Sequence, residues 1–517
     1  MEKKEIPMPK LPSVPSLNIK QKVGQLFMPA AFINDQEEEI QRLEQLINTH
    51  HIGSICFFHS RASAATNFEG KKEVVHNENS YARLLYLIQR YQKATTIPLL
   101  IAIDAEWGLA MRIENMPKYP YAITMGAMQD QESLVFQVGK GIAQDCRKAG
   151  IHWNLAPVVD INLNPDNPVI GYRSFGDDST KVTQYAKAYL KGMRSEGVLN
   201  SIKHFPGHGD TATDSHLGLP VINKSKSELL KNELYPFTKL MNEAIDSIMV
   251  GHLAVPALSN GKKISSSVSK EIMTNFLRGE LGWNGVIISD ALNMHAVSKD
   301  FPGKGAVEYA AFEAGNDVLC FADNPTEGIE MISEKCSTSR IEGSFNRFWK
   351  LKEKAFNHTT SVTEEISFKA LMKKLTGASL TLLKGDASDF ATFRENGFDF
   401  VPLGKSDGLF YDQFNGYKSD NGNVLVSIVP RQVKPKNAFG FTKNELLKIQ
   451  DFLDTRPTAI YLFGNPFVLN LIPWEKAKVV VVVYQDFDIF QQHAIDHLNN
   501  KVEAKGKLPV LLKNTFS

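Results

Sequence analysis

The sequence has no excess of charge of either sign. Lysine and arginine together number 58 in 517 residues, aspartate and glutamate number 57, and the formal net charge is +1. Proteins that bind nucleic acid or anionic membranes usually carry a basic surface. The balanced composition therefore predicts no nucleic-acid partner and no polyanionic substrate.

Cysteines and long apolar runs are also scarce. The four cysteines are not arranged in any C-x-x-C pair, which favours free, buried thiols in a reducing compartment. The longest apolar runs, such as 479–484, are suited to a buried strand, so no membrane span is expected. The N-terminus contains lysines and prolines but no apolar run typical of a signal peptide. A cytoplasmic location is expected, or a periplasmic one if a leader has been removed.

Eight short apolar runs alternate with amphipathic segments over the first two thirds of the chain. They occupy 25–30, 54–59, 99–104, 152–159, 201–206, 247–252, 285–290 and 317–322. Runs of this length separated by helical patterns predict repeated βαβ units and a parallel sheet. Eight such units favour a closed (β/α)8 barrel, similar to a TIM barrel, over residues 17–357.

Polar residues fall at the carboxyl ends of several of these runs. They are Asp104, Asp160, Lys203 with His204, His252 and Asp290. Barrel enzymes assemble their active sites at that face. The placement predicts that 17–357 is a catalytic domain.

The two ends of the chain differ from this pattern. Residues 1–16 are predicted to form an extended arm, and the polar stretch 358–365 marks a linker region that we place at 358–374. Residues 375–517 contain four strand candidates, 379–383, 424–429, 459–463 and 478–484, with helical patterns at 442–455 and 488–499. This part is predicted to be a smaller α/β sandwich domain.

The most concentrated chemistry lies in residues 203–220, KHFPGHGDTATDSHLGLP. In Asp214-Ser215-His216, the carboxylate could orient the imidazole, which could then donate and retrieve a proton. Asp214 could instead hold the loop by capping backbone N–H groups, and His208 with Asp210 fits a turn that is held by its own side chains. No metal is expected, because the spacing matches no helical metal-binding pattern.

Each of the other candidate site residues has both a functional and a structural interpretation. Asp290 could cap the following helix, or its carboxylate could attack an electrophilic carbon. The carboxylates of Asp104 and Glu106 could bind sugar hydroxyls with support from Arg112, or these groups could form a structural ion pair. Arg173 lies in a long glycine-bracketed loop, where it could bind substrate or be solvated surface.

Four stretches of the sequence carry a family resemblance. KHFPGHGDTATDSHLGLP, SDALNMHAV, DAEWGLAMR and NPDNPVIGYRSFG look like the β-N-acetylglucosaminidases of glycoside hydrolase family 3. The resemblance covers 17 to about 350 well and the C-terminal part more loosely. One departure is Trp107, which stands where glycine is expected.

The resemblance implies a role for each matching residue. Asp290 matches the nucleophile of a retaining mechanism, and His216 matches the acid/base with Asp214 as its partner. Sugar-binding positions are matched by Asp104, Arg112, Arg173, Lys203 and His204, and His252 belongs to the same pocket floor.

The expected activity is therefore that of a retaining exo-β-N-acetylglucosaminidase. It would remove terminal β-linked GlcNAc from peptidoglycan fragments or chitin oligosaccharides, without a cofactor, as a monomer or weak dimer. The alternatives are a β-glucosidase or a phosphorylase of the same family, a non-catalytic carbohydrate-binding barrel, and a metal-dependent hydrolase.

Overall fold

The computed structural model describes residues 11–12, 16–61, 76–212, 218–243, 245–358, 364–420 and 422–513. The chain forms two compact units. The first contains residues up to 119, 136–160 and 186–366, and the second contains 120–135, 161–185 and 367–517. The limits of the units follow spatial contacts, whereas the predicted domain limits follow chain order, so 120–135 and 161–185 belong to the second unit although they precede residue 357.

The first unit is built on a parallel sheet of consecutive strands. Seven strands pair in the order β2-β3-β4-β5-β6-β7-β8, and β1 pairs with β9. A parallel bridge between Ile288 and Val318 connects β8 to the start of β9, and β1 is followed at once by β2. The described strands are β1 Phe27–Met28, β2 Ala30–Phe32, β3 Ser54–Phe58, β4 Leu100–Ile103, β5 Trp153–Asn154, β6 Leu199–Phe205, β7 Ser247–Val250, β8 Val286–Ser289 and β9 Leu319–Cys320.

Helices separate these strands along the chain. Those within the first unit are Ile19–Gly24, Glu37–His50, Ser80–Lys93, Lys226–Lys231, Tyr235–Leu240, His295–Ser298, Ala306–Ala314, Pro325–Lys335 and Thr338–Phe356, with a π-helix at Glu271–Glu280. Short 3-10 turns lie at Leu109–Met111, Pro256–Leu258 and Ser266–Val268. Two longer helices, Glu132–Lys148 and Ser179–Ser195, contribute residues to both units.

The predicted TIM-like barrel is confirmed. Each of the eight apolar runs overlaps at least one strand, and β3, β4, β7 and β8 are almost fully buried. Strands buried on both faces read as continuous apolar runs, which is why the pattern was visible in the sequence. Between β6 and β7 lie two short helices, Lys226–Lys231 and Tyr235–Leu240, and Pro236 lies in the first turn of the second, where proline is tolerated.

The second unit is a mixed five-stranded sheet with helices. Its strands pair in the order β10-β14-β13-β12-β11, and only β10 runs antiparallel to its neighbour. The strands are β10 Thr381–Lys384, β11 Asp399–Gly404, β12 Val424–Val429, β13 Thr458–Leu462 and β14 Val479–Val482. The helices are Ala122–Ala127, Phe368–Ser379, Ala387–Asn396, Leu409–Phe414, Lys443–Thr455 and Asp488–Leu498, and the 3-10 turns are Gly171–Arg173, Lys436–Gly440, Pro466–Leu471 and Trp474–Lys476.

The predicted α/β sandwich is confirmed, but the sequence did not reveal β11. That strand lies at the edge of the sheet, is only partly buried, and contains Pro402 and Gly404. Proline cannot donate a ladder hydrogen bond and is confined mainly to edge strands. The edge position therefore explains both the composition of β11 and its weak apolar pattern in the sequence. The helix Phe368–Ser379 also lies partly in the range predicted as a linker.

A buried lysine provides a test of the first unit's packing. Lys352 is 0% exposed, its Nζ donates to Gln25 Oε1 at 2.8 Å, and it lies over the rings of Phe348 and Trp349. Burial lowers the pKa of Lys352 well below its ordinary value. Above this folded-state pKa and below about 10.5, the unfolded chain binds the proton more tightly, so stability rises with pH.

We expect Lys352→Met to remove this slope. The wild-type free energy of unfolding should contain a contribution that increases by up to about 1.4 kcal/mol per pH unit within that window. Urea unfolding of both proteins between pH 7 and 10 measures it. Lys350→Met, at an exposed position on the same helix, is the matched control. Identical slopes for wild type and Lys352→Met would contradict the prediction.

Candidate active site

Two carboxylates and two cations meet after β4. Lys203 Nζ lies 2.8 Å from Asp104 Oδ1 and 2.8 Å from Glu106 Oε1, and Arg112 donates to Asp104 Oδ2 at 2.9 Å. Lys203 is 2% exposed. Burial favours the neutral acid, but Lys203 and Arg112 outweigh it and hold the pKa of Asp104 below its usual range. An ionised carboxylate fixed in this way retains lone pairs that can accept hydrogen bonds from sugar hydroxyls.

The end of β6 supplies two consecutive site residues. Lys203 and His204 are both buried, their connecting peptide is cis, and the pairing of β6 with β7 shifts register between Ile202 and Phe205. In a regular strand, successive side chains point to opposite faces. The irregular register accompanies the placement of both residues among the site's charged groups.

Asp160 joins His204 to the glycine-rich loop that follows β6. Its Oδ2 lies 2.7 Å from His204 Nδ1, and its Oδ1 accepts the His208 backbone N–H at 2.7 Å. Asp160 is 0% exposed. Burial opposes ionisation, yet the contact with His204 and the other hydrogen bonds leave the pKa of Asp160 lowered. A carboxylate in this position fixes the orientation of the imidazole.

His208 packs behind this pair. Its ring makes an edge contact with that of His204, with centroids 6.1 Å apart, and its Nδ1 lies 2.7 Å from Thr211 Oγ1. Burial, assisted by His204, lowers the pKa of His208 to about 4. His208 is therefore neutral at physiological pH. Its ring forms a hydrogen bond within the loop, as expected for a residue that holds a turn with its own side chain.

Asp290 follows β8 and is half-buried. Its backbone N–H donates to the Val250 carbonyl at 2.9 Å, and its Oδ1 accepts the Ala291 N–H at 2.8 Å. Burial raises the pKa, but His252, His204, the Ala291 N–H and Lys203 together bring the pKa of Asp290 to about 2. The carboxylate is thus ionised throughout the neutral range and suited to nucleophilic attack.

His252 supports the Asp290 segment from β7. Its Nε2 donates to the Ala291 carbonyl at 2.8 Å, and its Nδ1 lies 2.7 Å from Ser267 Oγ. The residue is 0% exposed. These contacts place His252 beside the nucleophile candidate. Its predicted contact with substrate stays a prediction.

The other predicted site residues are Asp214, His216 and Arg173. Asp214 and His216 lie outside the described residues. Arg173 belongs to the second unit, where its Nη1 donates to the Val169 carbonyl at 3.3 Å. Lys224 forms ion pairs at 2.5 Å with both Asp210 and Glu233, which lie on the two sides of segment 213–217 in sequence.

Sequence reasoning did not assign roles to Asp160 or Ser267, and it considered Glu106 only together with Asp104 as a possible sugar-binding carboxylate. Asp160 follows an apolar run, which was the available signal, whereas Ser267 lies in a serine-rich stretch that carries none. Among the described residues, no three histidine, cysteine, aspartate or glutamate side chains are grouped so that they could hold a metal ion. Within the same ranges, no helix has both the length and the apolar character needed to cross a bilayer.

A TIM-like barrel with carboxylates and cations gathered at the carboxyl ends of its strands is the arrangement of a barrel enzyme. The model of the glycosyl hydrolase family 3 N-terminal domain matches residues 18–348. The chain belongs to this family.

Two relatives and one solved structure are similar to this chain. Beta-hexosaminidase A of Pseudoalteromonas piscicida is 34% identical over 291 residues, which are 53% of this chain and 46% of that protein. A beta-hexosaminidase of Nitrosospira multiformis is 31% identical over 264 residues, or 50% of this chain and 73% of that protein. A family 3 beta-N-acetylglucosaminidase structure from a Paenibacillus species matches with a TM-score of 0.74 and 25% identity, covering 96% of this chain and 99% of that one. The part of this chain that matches beta-hexosaminidase A of Pseudoalteromonas piscicida covers less than half of that protein's length.

Proposed function

We propose that this protein is a retaining exo-β-N-acetylglucosaminidase. Its substrates would be peptidoglycan fragments or chitin oligosaccharides that end in a non-reducing β-linked GlcNAc. The observation that carries the proposal is Asp290, an ionised, half-buried carboxylate at a strand end beside cation-held sugar-binding groups. The names of the relatives support a hexosaminidase over other family 3 activities.

In the first step, Asp290 would attack C1 of the terminal sugar. Its Oδ1 is occupied by the Ala291 N–H, and none of the described hydrogen bonds is donated to Oδ2, so Oδ2 is the attacking atom in this proposal. A bond forms between Oδ2 and C1 while the bond from C1 to the leaving oxygen breaks. His216, oriented by Asp214, would give its proton to that oxygen.

In the second step, water would release the sugar. His216, now neutral, takes a proton from water as the water oxygen bonds to C1, and the C1–Oδ2 bond breaks to regenerate the Asp290 carboxylate. Asp104, Arg112, Lys203 and His204 would hold the sugar hydroxyls through both steps. The assignment of Arg173 as a sugar-binding residue stays a prediction from the sequence. A neutral acid/base partner reduces the anionic charge around Asp290.

The substrate assignment is tested by comparing two aryl glycosides. Hydrolysis of 4-nitrophenyl β-GlcNAc should greatly exceed that of 4-nitrophenyl β-glucoside, and the product from GlcNAc should be the free sugar with the β-anomer formed first. Preference for the glucoside would favour a β-glucosidase. Sugar 1-phosphate formed in phosphate buffer would favour a phosphorylase. Saccharide binding without turnover would favour a non-catalytic barrel, and loss of activity in EDTA would favour a metal-dependent hydrolase.

The pKa of Asp290 predicts the pH profile of the first step. Because the folded-state pKa is lowered to about 2, the carboxylate stays ionised as the pH falls to about 4. A 2,4-dinitrophenyl glycoside needs no proton donor, so its rate of covalent intermediate formation should be constant from pH 4 to 8. Stopped-flow release of dinitrophenolate measures this rate. The prediction would be contradicted by an inflection in this rate between pH 4 and 8. The control is the hydrolysis rate of a pre-formed glycosyl-enzyme, which should show no inflection at the same pH.

Location and assembly complete the proposal. We place the protein in the cytoplasm as a monomer or weak dimer. Fractionation of cells and sedimentation of the purified chain would test the two points separately.

A further inference from the structure

Three phenylalanine rings form a cluster at the carboxyl ends of β2, β3 and β9. The ring centroids of Phe58 and Phe321 are 5.1 Å apart, those of Phe32 and Phe321 are 5.8 Å apart, and those of Phe32 and Phe58 are 6.0 Å apart. These separations are within the range of favourable aromatic contacts. Phe32 is buried, whereas Phe58 and Phe321 are partly exposed. We call Phe32, Phe58 and Phe321 the aromatic wall.

Strand register places the wall in the layer of the candidate active site. Phe32 pairs with Phe58 across β2 and β3, and Cys56 pairs with Ala102 across β3 and β4. Side chains two residues apart share a face of a strand, so Phe58 lies on the same face and in the same row as Asp104. Arg112 joins the two, since its guanidinium lies 5.1 Å from the Phe58 ring and donates to Asp104.

The other end of the wall adjoins Asp290. The bridge between Ile288 and Val318 sets the register of β8 and β9, which puts Asp290 in the row of Cys320, immediately before Phe321. Phe321 has a φ of 50°, an uncommon conformation for a bulky residue. This backbone conformation interrupts the strand's alternation and accompanies the packing of the Phe321 ring against Phe32 and Phe58. Such unfavourable conformations cluster at functional sites.

The wall therefore occupies the arc of the barrel between two carboxylates with different tasks. Asp290, on one side, would face the reacting carbon C1. Asp104, on the other side, would grip a sugar hydroxyl. Two parts of the sugar flank C1, namely the substituent on C2 and, across the ring oxygen, the hydroxymethyl group on C5. A hydroxyl against phenylalanine rings would lose hydrogen bonds to water, whereas a methyl group there would be favourably buried.

We propose that the aromatic wall binds the methyl end of the 2-acylamino group and thereby determines selectivity for N-acyl sugars. This inference rests on the proposed function and identifies the residues that enforce it. Arg112 would hold the Phe58 ring in place, and Arg61, whose guanidinium lies 4.6 Å from the Phe32 ring and which is bound to Asp35, would support the wall from the rim.

The test combines variants that enlarge the space beside the aromatic wall with substrates that carry longer 2-acylamino groups. Wild type, Phe321→Ala and Phe58→Ala are compared on 4-nitrophenyl glycosides of N-acetyl-, N-propionyl- and N-butyrylglucosamine. In each variant the kcat/KM ratio of N-butyryl to N-acetyl substrate should rise by about tenfold or more, because one or two methylenes in an apolar site change selectivity by this order. The ratio is measured within one preparation, so partial unfolding of a variant cancels.

Phe57→Leu is the matched control. Phe57 precedes Phe58 on β3 but is 0% exposed and packs against Tyr91 on the helix Ser80–Lys93, so this change should leave the ratio as in wild type. An unchanged ratio in both alanine variants would overturn the inference. A changed preference for 6-deoxy substrates with no change along the acyl series would overturn it too, because the wall would then lie along C5 and C6. Wild type without GlcNAc turnover would instead reject the proposed function.

Discussion

Replacing Asp290 by alanine is expected to lower kcat on 4-nitrophenyl β-GlcNAc by about 10⁴-fold or more. The carboxylate is the only group in the proposed mechanism that forms a bond to C1 in the first step, and removal of a nucleophile commonly abolishes nearly all turnover. The side chain accepts one described hydrogen bond, from the adjacent Ala291 N–H, so the alanine variant should keep the barrel intact. Steady-state kinetics with circular dichroism measures both points.

Azide distinguishes loss of the nucleophile from general damage. In Asp290→Ala, azide can enter from the vacated face and should yield the α-glycosyl azide, identified by NMR. Asp323→Ala removes an exposed carboxylate that follows the neighbouring strand and should retain wild-type kinetics. If Asp290→Ala kept more than about a tenth of the wild-type kcat, Asp290 would not be the nucleophile.

Replacing His216 by alanine is expected to lower kcat/KM by about 10²–10⁴-fold on substrates with poor leaving groups, such as chitin disaccharide. The loss should be much smaller with 2,4-dinitrophenyl GlcNAc, whose leaving group departs without a proton. Azide should restore turnover and give the β-glycosyl azide, because it attacks the glycosyl-enzyme where His216 would have activated water. Kinetics across a series of aryl leaving groups measures the effect.

The described site contains an imidazole–carboxylate pair other than the proposed Asp214–His216 pair, namely His204 with Asp160 at 2.7 Å, and this makes His204→Ala the decisive comparison. If His204 binds the sugar, His204→Ala should lower kcat/KM by about the same factor for good and poor leaving groups. Azide should then not restore the activity of this variant. If leaving-group dependence and azide rescue appeared in His204→Ala rather than in His216→Ala, the proton donor would be His204. The Asp214–His216 assignment would then be wrong.

Most of the barrel was predictable because its strands are buried on both faces. Continuous apolar runs such as 99–104 and 285–290 need no tertiary information to be recognised, and polar residues at their ends stand out against them. The edge strand β11 was missed for the opposite reason, since its partial burial permits Pro402 and polar positions. Asp160 was visible at a strand end, but its role was not, because its partners His204 and His208 lie 44 and 48 residues further along the chain.

By itself, the sequence determined the class of fold, the family and the chemical types of the site residues, since these depend on local periodicity and on short motifs. Only the tertiary structure decided which of those residues meet. It joined Lys203 to Asp104 across 99 residues and brought His252 to the segment after Asp290. It also aligned Phe32 and Phe58 with Asp104 and turned Phe321 towards them. Strand register and barrel closure set these distances, and both arise from long-range pairing that no local stretch of sequence encodes.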